Sequence, residues 1–247
     1  MLASLAFPFF LFLCNITSIF ALSNNLNSKD MEIKRIINLI ILDASGSMES
    51  IYNQALSGVN ETIQTIRMGQ KEHPEFQQIL TLASFNSGKN YLNVKYSATP
   101  IDKVKEITRE DYIACGCTAL YDAMGEMISE LKRKVTPEDR ILVTVITDGY
   151  ENSSTHWSGP QIKSLVEELR QEGWTFTYIG ANQDVEAVAG SMGIRNSLAF
   201  KETEEGAKAM FKFDRQCRSG FLDRLKLRGY KMSLAEDEDY FETDNTK

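Results

Sequence analysis

Residues 36–43 read IINLIILD, an isoleucine-rich apolar run that stops on an acid. A strand buried on both faces of a parallel sheet has no polar side to show, so it reads as a near-continuous apolar run rather than an alternation. Residues 36–42 have the length and the β-branched content of such a strand, and Asp43 marks where it emerges. The same signature returns at 140–148, RILVTVITD, which closes on Asp148 and is followed by Gly149.

Outward from the first strand, Ile51, Ala55, Val59, Ile63 and Ile66 recur at helical spacing and predict a helix that packs one face onto the sheet. Residues 78–85 (QILTLASF) and 91–94 read as strands joined by the turn-rich Asn86-Ser87-Gly88-Lys89-Asn90, which predicts an antiparallel pair at one edge. Leu120, Met124, Met127, Ile128 and Leu131 form a second apolar stripe, with Thr118 before it as an N-cap. Ser158-Gly159-Pro160-Gln161 has the form of a capping box, and Gly173 ends the helix it opens. Residues 174–179 give a further strand, Asp184 caps a short helix through Ala189, 197–200 gives a last short strand, and Thr203 opens a helix to about Cys217. Strands alternating with helices define an α/β fold: a doubly wound, mostly parallel central sheet flanked by helices, Rossmann-like, with one antiparallel edge strand.

With 247 residues, 43% of them hydrophobic, the chain has the material for one elaborated core. Its net charge of -7 leaves no clustered Lys and Arg face for phosphates, so the expectation is no nucleic acid. The cysteines are Cys14, Cys115, Cys117 and Cys217, and with Cys14 in an apolar leader the folded part holds an odd number, which does not read as a disulfide framework. Residues 2–22 are apolar and end near Ala21-Leu22-Ser23, so 1–30 reads as a leader: a signal peptide for export, or a retained membrane anchor of about 20 residues. Membrane contact is expected only if that leader stays. A translation start at Met31 is the third option and leaves a cytosolic protein. The folded domain is assigned to 34–220, and 221–247, basic and then acidic from Glu236, to a solvated tail.

In an open parallel sheet, ligands bind outside the carboxyl ends of the strands where strand order reverses. If the two acid-tipped strands are neighbours there, Asp43 and Asp148 face one crevice. Ser45 and Ser47 follow Asp43 at alternate positions, and Thr118 stands at a helix start that opens on the same rim. Five oxygen side chains of this kind suit a hard divalent cation, Mg²⁺ first, with Mn²⁺ or Ca²⁺ as alternatives. Only two of the five are carboxylates, so the ion is left short of strong ligands and open to an acidic visitor.

These residues, Asp43-Ala44-Ser45-Gly46-Ser47, Thr118 and Thr147-Asp148-Gly149, resemble the metal-ion-dependent adhesion site of the von Willebrand factor A domain. The likeness runs in element order from about Lys34 to about Gly220. Cys117-Thr118-Ala119-Leu120-Tyr121-Asp122-Ala123 and Gly180-Ala181-Asn182-Gln183-Asp184 look like the stand-alone bacterial and phage members. The resemblance implies that the hydroxyls of Ser45, Ser47 and Thr118 bind the ion, that Asp43 and Asp148 act directly or through water, and that a protein partner presents an Asp or Glu to it. Cys117 is a departure, standing where many members have Gly or another residue before the threonine.

The plainer readings are a strand-to-helix turn for Asp43, Ser45 and Ser47, an N-cap for Thr118 and a turn former for Asp148. Their joint occurrence in the right order favours the metal site. A serine hydrolase would need His73 or His156 beside Ser45 or Ser47, and Ala44-Ser45-Gly46-Ser47-Met48 is not a G-x-S-x-G elbow. A Mg²⁺-dependent phosphatase would need a second acid at position 45, where Ser stands. No nucleotide-binding glycine motif is present. Cys115 and Cys117 read as plain thiols, since no second pair completes a zinc site. The expectation is a metal-dependent binding module rather than an enzyme, with a metal-dependent hydrolase or a structural domain with a vestigial site as the alternatives.

Overall fold

Strand β1 (Lys34–Asp43) lies at the heart of a six-stranded sheet and pairs in parallel with β2 (Phe76–Phe85) on one side and β4 (Arg140–Thr147) on the other. The computed structural model describes residues 34–181, 183–201, 203–227 and 240–241. The leader at 1–30, Met31, Cys14, Asn182 and the acidic stretch from Glu236, apart from Tyr240 and Phe241, lie outside the described residues.

The sheet order is β3 (Leu92–Pro100), β2, β1, β4, β5 (Trp174–Gly180) and β6 (Asn196–Ala199). Strand β3 runs antiparallel to β2 at the edge, while β5 and β6 continue the parallel run. The chain goes from β1 to β2 on one side and later returns to β4 on the other, so strand order reverses between β1 and β4, where the crevice was expected. The fold is the α/β sheet read from the sequence, mostly parallel with one antiparallel edge. Strand β3 extends beyond the expected 91–94 because it is half-buried or exposed along its length and carries no apolar pattern to read.

Alternation along β1 assigns its side chains to two helical layers. Ile37, Leu39 and Ile41 pack with α2 (Leu120–Lys132), α3 (Gly159–Gln171) and α4 (Val185–Ser191). Ile40 and Leu42 pack on the opposite face with α1 (Tyr52–Glu72) and α5 (Glu204–Leu227), and Ile36 joins Phe221, Leu222 and Leu225 of α5. Helix α5 therefore continues well past Cys217, and residues 221–227 belong to the folded structure rather than to a solvated tail. Arg224 and Lys226 flank the buried Leu225 on the same helix. Tyr240 is buried too, against Phe221.

At the predicted capping box, Gln161 Oε1 accepts from the Ser158 backbone N–H at 2.9 Å. Asp184 accepts from the N–H of Ala187 at the start of α4, and Thr203 from the N–H of Gly206 at the start of α5. Among the described residues no helix is long and apolar enough to cross a membrane.

Candidate metal centre

Asp43 and Asp148 sit at the ends of the adjacent strands β1 and β4, both buried. Asp43 accepts from the Ser45 N–H to Oδ1 at 2.7 Å and from the Thr147 hydroxyl to Oδ2 at 2.6 Å. Burial nevertheless pushes its carboxyl up to about 6, with the neighbouring Asp148 adding to the rise, against the hydrogen bonds from Thr147 and from the backbone and side chain of Ser45. Among the described residues no basic side chain pairs with Asp43.

After β1 the chain enters a short 3-10 turn, Gly46–Ile51, which ties down Met48 and Ile51 in the core and leaves Ser47 exposed. The Ser47 hydroxyl donates to Asp148 Oδ1 at 2.7 Å, and the Ser45 and Ser47 hydroxyl oxygens lie 3.1 Å apart. With its proton committed to a carboxylate, the Ser47 oxygen keeps its lone pairs for another donor or a cation. Thr118 joins the same rim through Gly149: a Cβ built on Gly149 would lie 3.5 Å from Ser47 Oγ and 3.6 Å from Thr118 Oγ1. Both hydroxyls therefore border Gly149, and a Cβ at that position would be in ordinary van der Waals contact with them. Four of the five predicted residues are buried, and Ser47 opens the group to solvent.

Thr118 does not cap α2. The helix starts at Leu120 with Ala119 as its N-cap residue and no side-chain cap bond. Its first N–H groups are satisfied from another loop instead: Glu151 Oε2 accepts from Tyr121 N at 2.9 Å and Ser154 Oγ from Asp122 N at 3.0 Å. Glu151 Oε1 also accepts from the N–H groups of Ser153 and Ser154, and the Asn152 side chain accepts from Thr118 N at 2.9 Å. Glu151 and Asn152 thus hold the loops together and leave the Thr118 hydroxyl to the rim.

Asp122 completes the fastening. Burial opposes its ionisation, but the backbone N–H groups of Thr155, Trp157 and His156 and the His156 ring outweigh that, and the carboxyl is held below the usual carboxylate range. His156 Nδ1 lies 3.2 Å from Asp122 Oδ2, so this histidine is engaged there and not with Ser45 or Ser47. Tyr112 supports the first loop, donating its hydroxyl to the Asp43 carbonyl at 2.8 Å and stacking on Tyr52. Burial, with the Asp43 charge next, raises the Tyr112 pKa well above the usual phenol value, which keeps it a donor. Thr147 and Asp122 stand inside the motifs that resemble the family, but sequence reasoning gave them no role, and it did not find Tyr112 or Ser154.

Among the described residues no three or more His, Cys, Asp or Glu side chains cluster as a metal site. The rim set has a different composition, two carboxylates and three hydroxyls. All five donors are oxygens, a composition suited to Mg²⁺, Mn²⁺ or Ca²⁺ rather than to a soft metal. The donors present therefore fit a hard divalent ion.

A doubly wound sheet with a polar rim at its switch point defines the class. The profile of the von Willebrand factor type A domain matches residues 39–212, more than half of the chain, and the chain belongs to that family. No curated protein matches significantly. Among solved structures, a D319A mutant of the PilB minor pilin from Streptococcus sanguinis is similar at 14% identity and TM-score 0.53, covering 78% of this chain and 62% of that one. The pilus adhesin SpaC from Lactobacillus rhamnosus GG is similar at 12% identity and TM-score 0.56, covering 74% of this chain and 30% of that one. Both likenesses concern the fold, and the chain spans less than two thirds of either protein's length.

Proposed function

We propose that this protein is a divalent-metal-dependent protein-binding module. Ser45, Ser47 and Thr118 hold the ion, Mg²⁺ first, through their hydroxyl oxygens; Asp43 and Asp148 balance its charge and orient its waters; an Asp or Glu of a partner takes the remaining position. The observation that carries this reading is the convergence of two buried carboxylates and three hydroxyls at the rim beyond the ends of adjacent parallel strands, with no basic side chain among the described residues paired to Asp43. A bound cation would offset the burial of negative charge that raises the Asp43 pKa. Two large exposed side chains, Tyr150 beside Asp148 and Ile113 on the loop leading to Thr118, supply apolar surface for a partner. A hydrolytic reading gains nothing from the histidines, since His156 is fastened to Asp122 and His73 lies by Glu75 and Asp223, away from either serine.

The test is thermal unfolding with and without metal. At roughly 100 times its dissociation constant, Mg²⁺ should stabilise the folded chain by about 2.7 kcal/mol, a rise of several degrees at roughly 2–4 °C per kcal/mol. The rise should vanish in Asp43→Ala and Ser45→Ala. Capture of a protein partner should then require Mg²⁺ and fail with EDTA or with Asp148→Ala. A wild-type chain that ignores Mg²⁺, Mn²⁺ and Ca²⁺ at millimolar concentration sinks the proposal.

A further inference from the structure

Cys115 and Cys117 are both exposed and flank Gly116 on the loop that ends in Thr118. Two residues separated by a single residue have Cα atoms no more than about 7 Å apart even at full extension. Gly116 has φ 76°, a left-handed bend that shortens the span. A disulfide needs a Cα separation of roughly 4.4–6.8 Å, so this tripeptide lies within reach of one. The third cysteine among the described residues, Cys217, is buried inside α5, where burial pushes its thiol up to about 11 and takes it out of competition.

The tripeptide is also fastened at every residue. Cys115 N donates to the Ala44 carbonyl at 2.8 Å, and Gly46 N to the Gly116 carbonyl at 3.0 Å, so the loop is stitched to both sides of Ser45. Cys117 N donates to Ser87 Oγ at 2.8 Å, and Asn86 Nδ2 to Cys115 Sγ at 3.2 Å. Space around the bend is tight, because a Cβ on Gly116 would come within 2.9 Å of Ser87 Oγ. A change in the Cys115–Cys117 geometry therefore cannot stay local. It pulls on the backbone of residues 44–46 and on Thr118, the next residue along.

We propose that Cys115 and Cys117 are a thiol–disulfide exchange pair whose closure shifts the loop carrying Thr118 and so weakens the rim's hold on its ion. The oxidant is a small disulfide such as oxidised glutathione. One cysteine sulfur attacks it, forming a mixed disulfide and releasing one glutathione thiol; the second attacks the protein sulfur of that bond and releases the other. Two electrons leave the protein thiols, and their two protons end on the released thiols. A closed Cys-x-Cys bond is exposed and strained, the kind that is readily reduced again. The effect on the ion rests on the metal-binding reading above; the exchange itself does not.

The experiment equilibrates the full chain with glutathione at graded oxidised-to-reduced ratios, blocks free thiols by alkylation and maps the peptides by mass. The expected product is one bond joining Cys115 to Cys117, opened by dithiothreitol, with Cys115→Ser and Cys117→Ser each stopping at a single glutathionyl adduct. Wild-type chain that ends with separate adducts on the two cysteines, that does not react, or that pairs either residue with Cys14 or a second chain overturns the exchange. Mg²⁺ affinity is then read from thermal shifts of the reduced and oxidised forms. Closure should weaken it at least roughly fivefold, the lower end of usual coupling between sites, and dithiothreitol should restore it. Equal affinity in the two forms overturns the coupling. If Mg²⁺ stabilises neither form, the metal reading and the coupling fall together, while the peptide map still decides the exchange.

Discussion

Two clusters of buried polar groups lie against β1 and β4, and they handle their carboxylates in opposite ways. Under α5, Asp214 accepts from Arg218 Nε at 2.7 Å, Arg218 Nη2 donates to Thr144 Oγ1 at 2.8 Å, and the Tyr240 hydroxyl reaches Asp214 Oδ1 at 3.4 Å. That cluster carries its own cation and is complete within the chain. At the rim, Asp43 and Asp148 come together from neighbouring strands, and among the described residues the charge on Asp43 is met by neutral donors, the backbone and side chain of Ser45 and the hydroxyl of Thr147. The first cluster should be indifferent to the ions in solution, and the second should depend on them.

The largest effect is expected from removing the internal cation. Arg218→Met leaves Asp214 buried without its partner, a loss of about 3–5 kcal/mol and, at roughly 2–4 °C per kcal/mol, on the order of 10 °C in Tm. The loss should be the same in Mg²⁺ and in EDTA, and Asp214→Leu with Arg218→Met should recover most of it. Rescue of Arg218→Met by Mg²⁺ would erase the contrast between the clusters.

At the rim a single substitution should change sign with the metal. Asp43→Asn keeps partners for the Ser45 N–H and the Thr147 hydroxyl but buries no charge, so in EDTA at neutral pH it should be more stable than the wild type by about 1–3 kcal/mol. In saturating Mg²⁺ it should be the less stable of the two. The pH dependence follows from the same group: the folded carboxyl, held up to about 6, takes up its proton before the unfolded chain does. In EDTA the wild type should therefore gain stability as pH falls through about 6 and lose it as pH rises, with that component missing in Asp43→Asn. Urea titrations at three pH values would show it.

A smaller effect sharpens the comparison from outside both clusters. Asp122→Asn puts an amide N–H against backbone N–H donors of residues 155–157, and should cost about 1–3 kcal/mol. Hydrogen exchange should report faster opening of that loop and a weakened Mg²⁺ response, with the α5 cluster unaffected. Unchanged protection of residues 153–157 would show that Asp122 does not fasten them.

The central sheet was legible because two-sided burial writes an unambiguous pattern, as in IINLIIL and RILVTVIT, and the acids that end those runs pointed to the rim. Asn38 lies in the first of those runs without disturbing its reading, because it pairs with Gln78 and Arg218, which are distant in sequence. Strand β3 and the last turns of α5 were less legible for opposite reasons: one is exposed along its length, the other hides Phe221, Leu222 and Leu225 among basic residues. The five rim residues were found from their order and contexts, whereas the residues that hold them, Tyr112, Asp122, Glu151 and Ser154, act through hydrogen bonds that span 30 or more positions. Spacing along the chain carries no trace of such bonds. Thr118 was misassigned as a cap for that reason, since its substitute arrives from beyond β4.

That substitute has a consequence for the order in which the protein forms. Helix α2 receives its first-turn acceptors only after the loop of Glu151 and Ser154 has docked, and that loop exists in place only once β4 has joined β1. Pairing β4 with β1 joins residues as far apart as Ile36 and Arg140, and non-local contacts of this kind form slowly, so the rim should be among the last parts to assemble, during refolding and as the chain leaves the ribosome. Any ion it takes up would then be a signal that the chain has finished folding, not a nucleus around which it begins.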